Sequence, residues 1–346
     1  MKNLCLLLLA LTITVAFTHS VNAQQLRDTA RRVDASVVVI KTVEKNVLPT
    51  PQSVFVSSPG LGSGVLISND GRVLTAAHVV QAADKIEVEF IDGQVAPAKV
   101  IASVPRADVA MIKLDWVPQN AVPAKLGDSD KMQVGDEVFI IGAPYGIGHS
   151  LSAGHVSARR TSKISFDGAS KLELLQTDAA INKGNSGGPM FNMAGEVVGV
   201  VSHILSQSGG FEGLGFAVTA NVAQRLLVAM KGFWTGIDGL LLSEDWVRVF
   251  NIPQPAGLLV QRVADNSPAS NIGLLGGSYK ATIAGTDLLV GGDIILDVGG
   301  IQVMPDGSNA LKMINYLNQL HPGDKLTLRV LRAGQITALS TNMPAR

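Results

Sequence analysis

The sequence predicts a mainly β domain, built as a barrel or sandwich, followed by a small mixed α/β domain. Short apolar runs rich in β-branched residues, separated by glycine-rich or polar turns, recur from Ala35 to Ala220. A length of 346 residues exceeds one ordinary core and suits two domains. With 47% hydrophobic residues, 16% charged residues and a formal net charge of +0, the composition disfavours disorder and broad electrostatic capture of nucleic acid.

The N-terminal segment 1–23 has the layout of a secretory signal. A lysine near the start is followed by an apolar run from Leu4 to Phe17 and a small-residue exit ending at Ala23. The run is too short for a good membrane span, and an uncleaved anchor is the alternative. The only cysteine, Cys5, lies in this segment. A mature chain beginning at Gln24 would therefore have no disulfide and no cysteine-based metal or catalytic site.

The apolar runs of the first domain predict its strands. They are Val37–Val43, Gly64–Ser68, Lys85–Phe90, Ala98–Ala102, Val109–Leu114, Glu137–Gly142, Glu196–Ser202 and Leu214–Val218. Helical spacing over Asn221–Lys231 predicts a helix that closes this domain. We therefore place the first domain at residues 24–231 and the second at residues 232–346.

The second domain is expected to mix strands and helices. Its predicted strands are Gly257–Val263, Asp293–Val298 and Lys325–Leu331, and its predicted helices are Pro268–Leu274 and Asn309–Gln319. About 110 residues are enough for a domain with its own core.

A serine nucleophile needs a base, a carboxylate that orients the base, and donors for an oxyanion. Three segments of the chain contain groups that could supply these parts. The segment Val73–Val80 places His78 after two small alanines that allow close packing. Asp108 stands at the start of an apolar strand, and Asp115 at its other end is the competing candidate. Taken singly, such a histidine is more often structural, and such an aspartate more often caps a turn or a strand end.

The third segment, Asp178–Met190, places Ser186 between glycines. Glycines permit a tight turn whose backbone N–H groups point one way, which forms an oxyanion hole without side chains. Gly184 and Ser186 are the expected amide donors. A bare glycine-serine loop is the alternative for this segment alone, but the order His, Asp, Ser across the three segments is far more specific.

The motifs TAAHVV, ADVAMIKLD, LGDSDKMQVGDEVFIIGAPYG, TDAAINKGNSGGP and GLGFAV resemble the HtrA (Deg) family of trypsin-like serine proteases, from about Ser36 to the C-terminus. The resemblance implies a two-barrel chymotrypsin-like domain, one or two PDZ domains and trimer-based assembly. It also implies ATP-independent proteolysis of unfolded or misassembled proteins. Together with the signal, it implies export to the periplasm. A chaperone-like peptide-binding protein with low or regulated proteolysis is the alternative function.

Transferred residue by residue, the resemblance assigns the triad to His78, Asp108 and Ser186, and the oxyanion hole to Gly184 and Ser186. The chain departs from the family at Lys183, where many members have proline. Such a change can alter the flexibility or charge beside the oxyanion turn.

The substrate pocket is expected to be apolar. Ala180 stands six positions before Ser186, where trypsin-like enzymes that cut after basic residues carry an acid. An uncharged pocket floor favours apolar side chains before the cleaved bond, since nothing there pairs a buried cation. The segment Gly213–Phe216 is interpreted as a pocket-wall strand, although its letters resemble a PDZ loop.

The second domain resembles a PDZ domain through Gly257–Val260, Asn266–Ala269, Leu289–Ile295 and His321–Leu326, with an apparent insertion at Ser278–Thr286. PDZ domains add an extended C-terminal peptide to a sheet edge and hold its carboxylate on backbone amides. We place the peptide-binding segment at Gly239, Leu240 and Leu241. A domain that only packs against the first is the alternative.

No cofactor is expected. The histidines outside the triad segments lack metal-ligand spacing, and no phosphate-binding loop or basic-aromatic tract is present. The partners expected are therefore unfolded proteins, C-terminal peptides and further copies of the chain, with no nucleic acid.

Overall fold

The computed structural model describes residues 23–48, 54–165, 171–229 and 233–343. The expected signal, apart from Ala23, lies outside the described residues, as does the end of the helix predicted to reach Lys231. A helix α1 over residues 23–33 precedes the first barrel. In the part of the chain that the structure describes, no helix is long and apolar enough to cross a membrane.

The first barrel is closed by six antiparallel strands in the order β1-β2-β3-β6-β5-β4, with β1 pairing both β2 and β4. Their bounds are β1 (Val37–Val47), β2 (Phe55–Leu66), β3 (Arg72–Thr75), β4 (Lys85–Glu89), β5 (Val95–Val104) and β6 (Val109–Leu114). A short helix α2 (Ala77–Val80) follows β3. Ile40, Leu66 and Ile112 fill the interior with no exposed surface. The β-branched runs thus supply the inward face of a barrel.

The second barrel follows the order β11-β8-β9-β10-β13-β12, and an additional pairing of β11 with β12 closes it. Its strands, with β7 added on β12, are β7 (Lys125–Leu126), β8 (Glu137–Gly142), β9 (Ser150–Ser165), β10 (Lys171–Thr177), β11 (Pro189–Asn192), β12 (Glu196–Ile204) and β13 (Gly215–Thr219). Phe139 and Phe191 stack in its core with ring centroids 5.2 Å apart. Helix α3 (Ala220–Gln224) and a π-helical turn, Arg225–Ala229, follow the last strand.

The C-terminal domain is a sheet in the order β14-β15-β18-β20-β21, with β19 paired to β18 and a separate β16–β17 hairpin. Its strands are β14 (Ile237–Ser243), β15 (Ala256–Val263), β16 (Tyr279–Ile283), β17 (Thr286–Val290), β18 (Ile294–Val298), β19 (Ile301–Gln302), β20 (Lys325–Arg332) and β21 (Gln335–Asn342). Its helices are α4 (Asp245–Val249), α5 (Pro268–Asn271) and α6 (Ala310–Gln319). Strand β14 lies at the edge of this sheet, beside α6.

The expected fold class, two chymotrypsin-like barrels and then a small α/β domain, is confirmed. In the first domain the sequence patterns missed β9 and β10, where polar residues interrupt the apolar alternation, and β3 and β11, which are only four residues long. In the C-terminal domain they missed β14, β16, β17 and β21. The apparent insertion at Ser278–Thr286 falls mostly within the β16–β17 hairpin. The segment interpreted as a pocket wall supplies β13, which pairs with β10 and β12 inside the second barrel.

A buried ion pair anchors the C-terminal domain. The carboxylate of Asp293 has no exposed surface, and it accepts hydrogen bonds from Arg332 Nε and Nη2, both at 2.7 Å. The Leu275 amide donates to the same carboxylate at 2.9 Å. The hydrogen bond to Asp293 raises the pKa of Arg332. Because the carboxylate is removed from water, it depends on these donors for its solvation.

Replacing Arg332 with Ala leaves the Asp293 charge buried without its main partner, so we expect a loss of about 3 kcal/mol of stability. The measurement is denaturant unfolding of the full chain. Arg248→Ala is the control, because its bridge to Asp245 is 82% and 85% exposed and should contribute under about 1 kcal/mol. Equal effects of the two substitutions would contradict the assignment.

Candidate active site

The first barrel brings His78 and Asp108 together through one strand pairing. Strands β3 and β6 are antiparallel, with Thr75 opposite Ala110. His78 lies three residues beyond Thr75, and Asp108 lies two residues before Ala110, so both side chains emerge at the same end of the pair. Ala76 and Ala77 are almost fully buried, which lets α2 turn tightly beneath the histidine.

The Asp108 carboxylate holds the His78 ring in one orientation. Asp108 Oδ1 and Oδ2 lie 2.8 and 3.0 Å from His78 Nδ1, and Oδ1 also accepts the His78 backbone N–H at 3.1 Å. Ser202 Oγ donates to Oδ2. Asp108 adopts a left-handed backbone conformation with φ 54°, which aspartate tolerates better than most residues. With Nδ1–H donated to the carboxylate, Nε2 of the neutral ring is free to accept a proton.

The environment shifts the pKa values of His78 and Asp108 in the directions that suit a base and the carboxylate that orients it. Burial, the largest effect, would raise the pKa of Asp108, but the hydrogen bonds and charge of His78 and the hydroxyl of Ser202 lower it below its ordinary value. Burial also acts to lower the pKa of His78, and the hydrogen bond and charge of Asp108, with the charge of Glu44, raise it overall. Asp108 is therefore ionised at neutral pH.

Ser186 belongs to the second barrel, on the turn between β10 and β11. Its backbone C=O accepts the Ser63 N–H at 2.8 Å, and Ser63 Oγ donates to the Gly184 C=O at 2.6 Å. Ser186 Oγ lies 3.5 Å from the Ser202 C=O. Among the described residues, no hydrogen bond joins it to His78. A looser contact of this kind is common in catalytic sites without substrate.

Two amides of the turn are available to an anion. Within the described residues, neither the Gly184 N–H nor the Ser186 N–H has a hydrogen-bond acceptor. The Tyr145 N–H donates to the Lys183 C=O at 2.7 Å. Since C=O and N–H point oppositely in a trans peptide, this bond directs the Gly184 N–H away from Tyr145. Gly184 has φ +102°, and a Cβ there would lie 2.1 Å from the Ala143 C=O oxygen, so the turn requires glycine.

A cavity of ≈ 610 Å³ opens beside the three side chains, and its lining includes His78, Asp108 and Ser186. Ile181 and Ile204 contribute apolar surface, whereas Ala180 does not line it. The Ala180 side chain is exposed, and its C=O accepts from Ser152 Oγ at 2.8 Å. The pocket role of Ala180 therefore stays a prediction, and the apolar lining of this cavity includes its neighbour Ile181.

The segment assigned to peptide binding, residues 239–241, lies in strand β14. Gly239 and Leu241 line a second, largely apolar cavity of ≈ 440 Å³ between β14 and α6. Leu240 packs into another cluster, as strand alternation requires. Asp238, which could repel a ligand carboxylate, is paired with Arg262 at 2.7 Å.

The first domain contacts this groove directly. Gln81, which follows α2, donates to the Ile237 C=O at the start of β14 at 2.9 Å. Trp234 Nε1 donates to the Gln81 C=O at 3.1 Å. Arg106, two residues before Asp108, donates to the Gly307 C=O at 2.6 Å. The segments that carry His78 and Asp108 therefore lie in hydrogen-bond contact with the C-terminal domain.

Sequence reasoning missed Ser63, Ser202, Gln81 and Arg106. The glycines on both sides of Ser63 were a usable signal, since a Cβ at Gly62 would lie 3.2 Å from the Ser186 C=O oxygen. No pattern distinguishes Ser202 or Gln81, because their partners are distant in sequence. Within the described ranges, no group of three or more histidine, cysteine, aspartate or glutamate side chains could hold a metal ion.

Comparison with known proteins agrees with this architecture. Residues 62–200 match the trypsin-like peptidase domain family, and residues 214–343 match the PDZ domain family. A Pseudomonas putida protein named a probable periplasmic serine endoprotease, DegP-like, is 41% identical over 256 residues, which is 72% of this chain and 52% of that protein. A protein of the same name from Pseudomonas fulva is 38% identical over 295 residues, or 82% and 56% of the two chains.

Solved structures give the same result over nearly the whole chain. The HtrA-type protease AlgW with tripeptide is 29% identical, with a TM-score of 0.51, over 92% of this chain and 97% of that chain. AlgW with decapeptide is 27% identical with the same TM-score, over 92% and 98%. The chain spans about half the length of the curated relatives that it matches.

Two chymotrypsin-like barrels with a histidine, an aspartate and a serine at one cavity, joined to a PDZ domain, define a class of serine protease. The chain belongs to the HtrA (Deg) family of trypsin-like serine proteases.

The raised pKa of His78 generates a pH prediction. Only the neutral ring can accept the serine proton, so kcat/KM should fall as pH drops through the pKa of His78. Because this pKa is raised, the midpoint of the fall should lie at a higher pH than the one at which a free histidine titrates. Asp108→Asn removes the largest upward effect. It should move this limb to lower pH and lower kcat on the order of 10⁴-fold.

The measurement is the pH profile of kcat/KM for a peptide substrate in both proteins. Asp115→Asn is the control, since Asp115 lies at the far end of β6. An unchanged limb in the Asp108 variant would contradict the pairing.

Proposed function

We propose that the chain is an ATP-independent serine endopeptidase that acts through His78, Asp108 and Ser186 by way of an acyl-enzyme. The observation that carries the proposal is the His78–Asp108 pair, fixed by three contacts, in one cavity with Ser186. The amides of Gly184 and Ser186 have no acceptor among the described residues. This arrangement supplies a nucleophile, a base, an orienting carboxylate and anion donors.

The geometry supports the following sequence of steps. Ser186 Oγ attacks the substrate carbonyl carbon as His78 Nε2 takes its proton, and the oxyanion is stabilised by the amides of Gly184 and Ser186. His78 then gives that proton to the leaving amine as the C–N bond breaks, which leaves the acyl group on Ser186. Water attacks the ester with His78 again as base, and the acid product leaves. No step uses ATP.

The substrates we propose are unfolded or misassembled proteins, cut after apolar residues. The cavity beside Ser186 has apolar walls that include Ile181 and Ile204. Apolar side chains are buried in folded proteins and become accessible when a protein unfolds.

The proposed compartment is the periplasm, which the names of the relatives and the segment 1–23 suggest. The proposed assembly is a homotrimer.

The alternative, a chaperone-like peptide-binding protein with little proteolysis, is favoured by one observation. Ser186 Oγ contacts the Ser202 C=O rather than His78. A site that needs a further rearrangement for catalysis would bind unfolded chains and cleave them slowly. Hydrolysis by the wild-type chain separates the two functions.

We further propose that the PDZ domain binds apolar C-terminal peptides and that binding raises peptidase activity. The edge strand β14 and the groove beside α6 offer a site for strand addition. A peptide added at this edge competes with Gln81 for the Ile237 C=O, and Gln81 directly follows the helix that carries His78. Activation requires that the peptide bind the active arrangement more tightly than the resting one.

Substituting Ser186 or His78 with Ala should lower casein hydrolysis by on the order of 10⁴–10⁶-fold, because triad members act as a unit. The fold should be retained. Ser57→Ala, an exposed serine on β2, is the matched control and should keep wild-type activity. Comparable hydrolysis by the Ser186→Ala protein, free of other proteases, would show that the nucleophile lies elsewhere.

The same digest reports the specificity. Mass spectrometry of the products should place most cuts after Val, Ala, Leu or Ile. A majority after Lys or Arg would contradict the apolar pocket.

A peptide with a free apolar C-terminus should bind the full-length Ser186→Ala chain about tenfold more tightly than the same peptide amidated, since charge-assisted hydrogen bonds to backbone amides are lost on amidation. Calorimetric titration measures both affinities. Leu241→Lys, which places a charge in the groove, should abolish binding, and Leu240→Lys should not, because Leu240 does not line the groove. Equal affinity of the two peptides would contradict carboxylate capture.

A further inference from the structure

Ser202 joins Asp108 to a second histidine at the same site. Ser202 is buried on β12, and its Oγ contacts Asp108 Oδ2 on one side and His203 Nδ1, at 3.0 Å, on the other. His203 also lines the cavity that contains Ser186. The steps proposed above use neither residue.

Counting protons fixes the direction of these two hydrogen bonds. The Ser202 hydroxyl has one hydrogen, and the Asp108 carboxylate, whose pKa is lowered, can only accept. The hydrogen of the Ser202 hydroxyl therefore points at Asp108 Oδ2. Ser202 Oγ can then only accept a hydrogen bond from the His203 imidazole. His203 must then carry its proton on Nδ1 and donate it.

We propose that His203 is a positioning residue which, by donating Nδ1–H to Ser202 Oγ, holds the Ser202 hydroxyl on Asp108 and thereby fixes the carboxylate against His78. The proposal rests on the peptidase function proposed above. Hydrogen bonds arranged in series polarise one another, so a donor to Ser202 strengthens the donation from Ser202 to Asp108.

The fold holds the His203 ring in place for this role. Strands β12 and β13 pair His203 with Phe216, and the two rings stack with centroids 5.1 Å apart at 18°. Burial, the largest effect, lowers the pKa of His203. The charge of His78 acts in the same direction, and that of Asp108 opposes it. A neutral His203 adds no second cation beside the imidazolium that forms on His78 during catalysis.

Two substitutions separate the hydrogen bond from the stacking. His203→Asn keeps a donor near the position of Nδ1 and loses the ring. His203→Phe keeps a ring on Phe216 and loses the donor. For a peptide substrate, we expect the Phe variant to lose about tenfold in kcat with KM within about twofold, and the Asn variant to stay within about twofold of wild type in both. A kcat loss confined to Asn, equal losses in both variants, or no loss in Phe would overturn the proposal.

A readout that does not need activity keeps this inference separate from the proposed function. In the full-length chain with ¹⁵N-labelled histidine, the His203 ring, assigned from the signals lost in His203→Asn, should show a protonated Nδ1 and a bare Nε2 at neutral pH. The opposite tautomer would overturn the proposal. If the wild-type chain hydrolyses no substrate, the peptidase function fails, and the tautomer still decides whether His203 donates to Ser202.

Discussion

The close approach of the two barrels at Ser63 and Gly187 is the constraint on which the site depends. Ser63 has no exposed surface and bonds the turn that carries Ser186 twice, through its N–H to the Ser186 C=O and its Oγ to the Gly184 C=O. A Cβ at Gly187 would lie 2.1 Å from Thr75 Oγ1 and 2.4 Å from the Ser63 C=O oxygen. No side chain fits between the barrels there, so the backbone of the turn is held against strand β2.

This junction explains how residues from two barrels form one site. Thr75 bonds the Ser63 C=O at 2.8 Å and precedes the alanines that lead to His78. The segment that leads to His78 and the turn that carries Ser186 thus both bond Ser63, from opposite sides of the interface. Buried hydrogen bonds of this kind position groups more closely than flexible loops could.

The contacts of the PDZ domain connect the first barrel to the groove between β14 and α6. Gln81 and Arg106 each lie a few residues from His78 or Asp108 and bond backbone carbonyls that border the groove between β14 and α6. The segments that carry His78 and Asp108 therefore contact the borders of this groove directly. Coupling between sites needs such an element with two arrangements, and these segments are the ones whose contacts a bound peptide would change.

The sequence by itself determined the fold class, the family and the short list of chemical groups. Apolar strands, glycine turns and the motifs around His78, Asp108 and Ser186 are local features, so they are readable from the chain. Strands such as β9 escaped prediction because their exposed polar residues break the alternation that signals a strand. The peptide-binding role of the segment around Gly239 stays a prediction, and the structure adds that this segment pairs with β15 as part of strand β14.

Only the tertiary structure decided which groups meet. Ser202 reaches Asp108 across 94 positions of sequence, Ser63 reaches Gly184 across 121, and Gln81 reaches Ile237 across 156. Ser202 and Gln81 do not differ in their local sequence from surface residues, and only Ser63 has a local signal, the glycines on both of its sides. Their roles come from strand register and barrel closure, which are set by the burial of the whole apolar core and not by any one segment.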